Sequence, residues 1–317
     1  NRLSDITVIV PYYNEEETIS QTLSQLFAQT LQPAAVILVN SSSTDASSAI
    51  VDTWISEHIA SLRPKYLNLN SGTNTPGGSK AAGIAVAKTD LVAFMDCGLI
   101  FPEDWLQRQH TKIVDDKHAQ WVSGGLITQG QGIVDQCAIA HTYGYNRFRP
   151  CMPSSLLRRS IFQTVGQFED LRAGYDAQWI RDAHQAGLKR LINSDVNFSY
   201  MGTCFAPNLL KVFTKSILYA RPTINSGNYI TPCVYTAAAT AIIPVAIYAP
   251  KLLLFGALAY VGARLALAGA KSRKGSLYFI RPDRLLVLIL TGAVMDFGKL
   301  TGYLWEFLDK LSTRNKN

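Results

Sequence analysis

Four short runs of strand-forming residues, each followed by a polar turn and a helix-spaced segment, confine the first hundred residues of this chain to an alternating α/β architecture. Ile6 to Val10 is the first run and stops at Pro11. Glu15, Glu16 and Glu17 then precede Ile19, Leu23, Leu26 and Phe27, an apolar stripe at helical spacing with acidic residues where a helix dipole favours them. Val36-Ile37-Leu38-Val39 is the second run, and Ser43, Thr44 and Asp45 offer caps to the next helix. Tyr66 to Leu69 is the third; Gly77 and Gly78 open a helix running through Ala81 to Ala87. Leu91 to Met95 is the fourth and ends at Asp96, and Trp121-Val122-Ser123 begins another. Such alternation predicts a mostly parallel sheet covered on both faces, with ligands outside the carboxyl ends of its strands. Pro11-Tyr12-Tyr13-Asn14-Glu15, Asn40-Ser41-Ser42-Ser43 and Asp96-Cys97-Gly98 all fall at that edge.

The remainder of the chain is different in kind. Of 317 residues 48% are hydrophobic, but the apolar residues concentrate in 230–304. Ile230 to Ala249 and Leu252 to Ala270 are each long enough to enter a bilayer, and the short turn at Pro250-Lys251 makes them a helical hairpin. The second carries a single charge, Arg264. Leu285 to Trp305 is a third apolar segment, spanning or interfacial. Asp296, Lys299 and Glu306 interrupt it, and Lys310, Arg314 and Lys316 follow, which favours the interfacial form. The net charge is +7, and Lys211, Lys215, Arg221, Lys271, Arg273, Lys274, Arg281 and Arg284 flank the apolar segments, as a basic rim on an anionic membrane surface would. The domains expected are therefore 1–208, an α/β domain, and 209–317, a membrane-associated region. No basic-aromatic module suggests nucleic acid. The five cysteines form no CxxC pair and read as reduced thiols. The sequence opens in a strand pattern rather than an apolar targeting run, from which the α/β domain is expected on the cytosolic side.

In order and spacing, Pro11, Tyr13, Asn14 and Glu15, then Gln29-Thr30, then Val39-Asn40-Ser41-Ser42-Ser43-Thr44-Asp45 resemble the opening of an inverting family 2 glycosyltransferase of the GT-A fold. The resemblance continues through Gly78 to Gly83, Asp96, and Gly166 to Gly187, about two thirds of the chain. It is of the membrane-anchored, bacterial surface-polysaccharide type. It implies a fold in which a GT-A nucleotide-sugar-binding domain precedes C-terminal membrane helices.

That resemblance distributes roles. Pro11, Tyr13, Glu15 and Asn40 would bind the donor nucleotide, Tyr13 by packing on the base; Asn40 stands where relatives carry a carboxylate. Gly78 and Lys80, at a helix start, would meet the donor diphosphate, with Lys80 in place of an arginine. Asp96 would bind donor and metal, Mg²⁺ or Mn²⁺, although Gly98 replaces the second carboxylate of the usual Asp-x-Asp; magnesium accepts one or two carboxylates completed by phosphates and water. Gly124 and Gly125 would leave room for the acceptor, and Trp179 would stack on it or fill core. Asp176 is the expected general base, with Glu169 and Asp170 as rivals. Tyr175 replaces the glutamate that relatives pair with that aspartate.

The activity implied is transfer of a sugar from a nucleotide-sugar donor to a glycan or lipid-linked acceptor in polysaccharide biosynthesis, at the inner membrane with the catalytic domain facing the cytosol. Single addition is favoured, since no Q-x-x-R-W motif is present. Transfer to polyprenyl phosphate is the alternative within the enzyme class. A catalytically silent membrane scaffold is the alternative outside it. A dehydrogenase is disfavoured because no GxGxxG follows the first strand.

Overall fold

The computed structural model describes residues 4–58, 64–225, 229–273 and 275–314. The chain divides into two compact units, one of residues 1–127 and 148–201, the other of residues 128–147 and 202–317. The sequence boundary at 208 therefore differs from the structural one. An excursion of twenty residues, 128–147, leaves the α/β unit and belongs with the C-terminal helices.

The first unit runs β1 (Ile6–Tyr12), α1 (Ile19–Phe27), β2 (Ala35–Asn40), α2 (Ser47–His58), β3 (Lys65–Asn70), α3 (Pro76–Val86), β4 (Leu91–Phe94), β5 (Leu99–Ile100), α4 (Trp105–Asp115) and β6 (Trp121–Ile127). After α5 (Gly132–Thr142), which lies in the second unit, it resumes with β7 (Phe148–Arg158), α6 (Ile161–Val165), α7 (Tyr175–Gln185) and β8 (Arg190–Tyr200). The sheet order is β3-β2-β1-β4-β7-β6-β8-β5. The first four strands read from sequence form its parallel half, with Val8 opposite Val36 and Ala93, and the one read from Trp121 lies in the other half. The other half is mixed: β7 runs antiparallel to β4 and β6, and β5 antiparallel to β8.

The central strands are apolar throughout because both faces are covered. Val8, Val10 and Leu38 pack into one core with Leu23, Leu26 and Trp105, while Ile9, Ile37, Val39 and Phe94 pack into another with Phe162, Phe168 and Trp179. A Cβ at Gly83 would lie 2.5 Å from Ile9 Cγ2. The glycine thus lets α3 settle directly on β1, which sets the position of Lys80 one turn earlier.

The second unit contains α5, α8 (Leu209–Asn225), α9 (Ile230–Tyr248), α10 (Pro250–Lys271), a 3₁₀ turn at Ser276–Phe279, and α11 (Pro282–Arg314). α9 and α10 are the expected hairpin, turning at Ala249. With α11 they are three helices long and apolar enough to cross a membrane. α9 and α10 are almost bare, exposing Ile247, Leu252, Leu254, Phe255 and Leu258, whereas a third of the apolar window of α11 is buried.

α11 is one continuous helix, and α8 packs along its second half. Cβ atoms at Gly298 and Gly302 would lie 2.8 Å and 2.6 Å from the carbonyls of Phe213 and Ile217. Two small residues one turn apart therefore admit the α8 backbone. The buried Asp135 carboxylate accepts N–H bonds from Cys204, Phe205 and Ala206 at 2.7–2.8 Å, tying α5 to the segment that enters α8.

Several members of the expected basic rim are engaged by neighbouring groups, Arg281 while staying exposed. Arg221 pairs with Glu306 at 2.7 Å, Arg281 with Asp283 at 3.3 Å, and Arg284 stacks 3.9 Å over the Tyr278 ring. Lys215 donates to the Phe205 carbonyl. Lys211 and Arg273 are exposed, and Lys274 and Lys316 lie outside the described residues.

Candidate active site

The loops after β1 and β2 are sewn together by their own side chains. Asn14 Oδ1 accepts from Thr44 N at 2.8 Å, Ser47 Oγ accepts from Glu15 N at 2.7 Å, and Glu16 Oε2 accepts from Ala46 N at 3.0 Å. Asn14 and Ser42 both carry left-handed backbone, at φ 54° and 62°, the kind of strained conformation that clusters at functional sites. The polar character of Asn14-Glu15-Glu16 and Ser43-Thr44-Asp45 is thus explained by the junction it makes.

Pro11 is buried within β1, opposite Val39. Tyr13 follows with its ring 40% exposed and the Arg172 guanidinium 5.5 Å from its centroid. A base packing on Tyr13 would do so beside Arg172 or by displacing it. Sequence reasoning passed over Arg172, because nothing in the stretch before Gly174 marks it as facing a residue so far away. Asn40 Oδ1 accepts from Ser43 N at 2.8 Å. Its amide N–H₂ has no partner among the described residues and is left to donate outward.

Lys80, Asp96 and Tyr175 form the centre of the site. Lys80 has no exposed surface, and its Nζ donates to Asp96 Oδ1 at 2.6 Å and to the Tyr175 hydroxyl at 3.0 Å. Burial pulls its pKa down, but the Asp96 carboxylate beside it outweighs that and the net shift is upward. Burial also pushes the Tyr175 phenol up to about 12. Lys80 is therefore a fixed cation, and its ammonium faces Asp96 and Tyr175 from inside the protein. It positions Asp96.

The α3 start is engaged within the protein as well. Thr75 Oγ1 accepts from Gly78 N at 3.1 Å, and the Leu171 carbonyl accepts from Gly77 N at 3.3 Å. These N–H groups are occupied, and Gly78 serves close packing instead. A Cβ there would lie 2.5 Å from Asp170 Oδ1 and 2.6 Å from Thr73 Oγ1. Asp170, a rival for the base, bonds Thr75 Oγ1 and anchors this contact.

Gly124 and Gly125 are also packing residues. Both are buried at a register shift in β6, where Cβ atoms would meet Val196 at 2.6 Å and Phe148 at 2.2 Å. Trp179 is 3% exposed, donates to the Gly166 carbonyl at 2.9 Å and packs against Phe162, Phe168 and Trp121. It fills core.

Asp96 is 38% exposed at its side chain, and Oδ2 has no partner among the described residues. Glu15 is close by: its Oε2 would lie 3.7 Å from a Cβ at position 98 and accepts from Thr18 Oγ1 at 2.5 Å. Burial and then the neighbouring Asp96 charge raise the Glu15 pKa. Gly98 sits at φ 75°, so a second aspartate there would be strained and would face Glu15. Among the described residues no three His, Cys, Asp or Glu side chains group to hold an ion alone. The oxygen set fits a hard cation only if phosphates and water complete it. Cys97, between these carboxylates, has its thiol pushed well up by burial and by Glu15 and Asp96, which makes it a poor nucleophile. Asp176 opens α7 beside Tyr175, is partly exposed, and accepts from Ala177 N at 2.9 Å.

The family described as glycosyl transferase family 2 matches residues 7–166, just over half of the chain. Glycosyltransferase GlyG of Streptococcus pneumoniae is 28% identical over 121 residues, 38% of either chain. Succinoglycan biosynthesis protein ExoW of Rhizobium meliloti is 26% identical over 146 residues, 44% of this chain and 42% of ExoW. Glycosyltransferase GlyA of Streptococcus pneumoniae is 29% identical over 112 residues, 35% of this chain and 15% of GlyA. The matches thus span less than half of these relatives' lengths. Among solved structures, the mannosyltransferase PcManGT of Pyrobaculum calidifontis, in complex with GDP-Man and Mn²⁺, superimposes with a TM-score of 0.56 at 17% identity, covering 92% of this chain and 87% of that one. That likeness shows the GT-A fold, and the family match shows the lineage: the chain belongs to glycosyl transferase family 2.

Proposed function

We propose that this transferase moves a sugar, with inversion, from a nucleotide-sugar donor to a glycan or lipid-linked acceptor in polysaccharide biosynthesis. The observation that carries this reading is Asp96, half-open at the carboxyl edge of β4 and held from behind by the wholly buried Lys80. Tyr13 and the outward amide of Asn40 suit a nucleotide base and ribose. Asp96 Oδ2, with Glu15 beside it, would hold Mg²⁺ or Mn²⁺ together with the donor phosphates. When bound, such an ion neutralises charge on the leaving diphosphate. Lys80 keeps Asp96 ionised and oriented for that purpose.

Asp176 takes the proton from the acceptor hydroxyl as its oxygen bonds the anomeric carbon. The bond from that carbon to the diphosphate breaks as the new one forms, so the anomeric configuration inverts. A carboxylate at the edge of a partly covered site suits a base of this kind. The three apolar helices support action at a membrane, and the name of ExoW supports polysaccharide biosynthesis; the reading places the catalytic unit on the cytosolic side of the inner membrane, where nucleotide sugars are made.

The test is a nucleotide-sugar panel on the full chain in detergent, with Mn²⁺ titrated in the presence and absence of nucleoside diphosphate. Donor-dependent hydrolysis is expected. So is mutual tightening of metal and nucleotide, since each supplies coordination the other lacks. Equal metal affinity in both conditions, or full activity in excess chelator, removes Asp96 from the metal role. No turnover of any donor would favour the silent scaffold.

A further inference from the structure

In the second unit a charged cluster sits inside apolar helices. Arg264 of α10 pairs with Asp296 of α11, and the Tyr235 and Tyr260 hydroxyls donate to the same carboxylate at 2.8 Å each. Arg264 also donates to the Tyr260 hydroxyl at 3.2 Å and the Gly292 carbonyl at 3.4 Å. Gly292 is what allows this approach, because a Cβ there would lie 3.3 Å from Arg264 Nε and 3.0 Å from His141 Nε2. Asp296 is thereby saturated.

The cations are not. Lys299, one turn along α11, donates to the Tyr235 hydroxyl at 3.4 Å and lies over that ring at 5.8 Å. Among the described residues it has no carboxylate within ion-pair distance. The charged groups acting on it are Arg264 and Lys271, both cations. Lys271 donates to the His141 carbonyl at 2.9 Å, at the end of α10. His141 faces Arg264, Lys271 and Lys299 together; burial first, and then their charge, pushes its pKa down to about 4. It is neutral and adds no counter-charge.

Uncompensated positive charge between apolar helices is costly and is retained where it meets an anion. A phosphate is the anion that arrives attached to hydrocarbon, and basic pockets between membrane helices bind phosphorylated headgroups. The depth agrees: Arg264 lies seven residues before Lys271 in α10, about 10 Å at the helical rise, which is headgroup rather than mid-bilayer level if the Lys271 end is at the surface. We infer that Arg264 and Lys299, braced by Asp296, Tyr235 and Tyr260, form a binding site for the phosphate of a membrane lipid. It rests on the membrane reading of α9 to α11 and not on the identity of the sugar donor.

The full chain in detergent micelles is titrated with phosphatidic acid, and binding is followed by native mass spectrometry. Saturable binding of one lipid is expected. Lys299→Gln, which leaves the Arg264–Asp296 pair in place, should weaken it at least tenfold; Lys299→Arg should retain it, and Lys211→Gln, on an exposed lysine elsewhere, should not change it. Gel filtration checks that each variant is folded, and the Arg variant reports the charge if the Gln variant is not. Three results overturn the site: equal binding by Lys299→Gln, equal binding of phosphatidylcholine, or displacement of the lipid by millimolar inorganic phosphate, which would mark a free-anion site. Recovery of the wild-type chain from lysate without detergent overturns it earlier, by removing the membrane premise while leaving the transferase reading intact.

Discussion

The two units each contain a basic residue paired with an aspartate, and the pairs are built for different purposes. In the α/β unit Lys80 is wholly buried and Asp96 is the exposed partner, at 38%. In the helical unit both partners are largely covered, Arg264 at 14% and Asp296 at 21%, and two tyrosine hydroxyls close the carboxylate. The first pair presents an oxygen to the outside with its cation fixed behind. The second consumes its carboxylate internally and leaves cationic groups over. A buried pair is weak support for stability in itself; what distinguishes these two is which sign each leaves available. One suits a metal and phosphate site, the other an anion site.

Breaking the first pair should have the largest effect. Asp96→Ala removes the metal-facing oxygen and strands a wholly buried ammonium, which costs about 3–5 kcal/mol in stability and should abolish turnover. Lys80→Met removes the charge with comparable bulk, so it should fold better than Asp96→Ala while still losing donor affinity. Thermal unfolding of the two variants side by side checks the order; a more stable Asp96→Ala would mean that Lys80 finds another partner or sheds its proton.

The next effect sharpens the division of labour within the α/β unit. Asp176→Asn should leave nucleotide binding intact and lower kcat by about 10²-fold or more, the usual size of a lost general base. Near-normal kcat would move the base to Glu169, since Asp170 is engaged at the start of α3.

The smallest effect separates the two units by pH. His141 titrates near 4 when folded, below its usual value of 6.5. As pH falls below 6.5 the unfolded chain takes up a proton that the folded chain refuses, so stability is lost between about pH 6.5 and 4 and is level above that window. The loss is at most about 3 kcal/mol. The Lys80 shift is upward; its contribution is present below the unfolded lysine value and fades only at strongly alkaline pH, outside this window. Unfolding in detergent from pH 7.5 to 4.5 should therefore weaken wild type more than His141→Gln. Identical slopes would place the pH dependence elsewhere.

Much of the parallel half-sheet was legible because a strand buried on both faces must be apolar along its whole length, as Val36 to Val39 is. The α9–α10 hairpin was legible from length and hydropathy for the same reason: an apolar environment imposes composition on every residue. β7 and β8 were not. Pro150 and Pro153 interrupt the first, and the second is largely polar, so their pairing with β6 is specified by partners distant in the chain.

By itself the sequence determined the α/β alternation, the polar carboxyl edge with Asp96, Asn40 and Tyr13, and the apolar helices. These depend on local propensity and on one-dimensional pattern. Tertiary structure alone decided that Lys80 stands behind Asp96, that Gly78, Gly124 and Gly125 make room for Asp170, Val196 and Phe148, that Trp179 is core, and that Arg264 and Lys299 share a neighbourhood with Asp296. A side chain's partner and its exposure depend on which distant element packs beside it, and pattern along the chain carries no distance between elements. The same residue types that spell out a motif therefore leave open which of them touch a ligand and which only hold its neighbours in place.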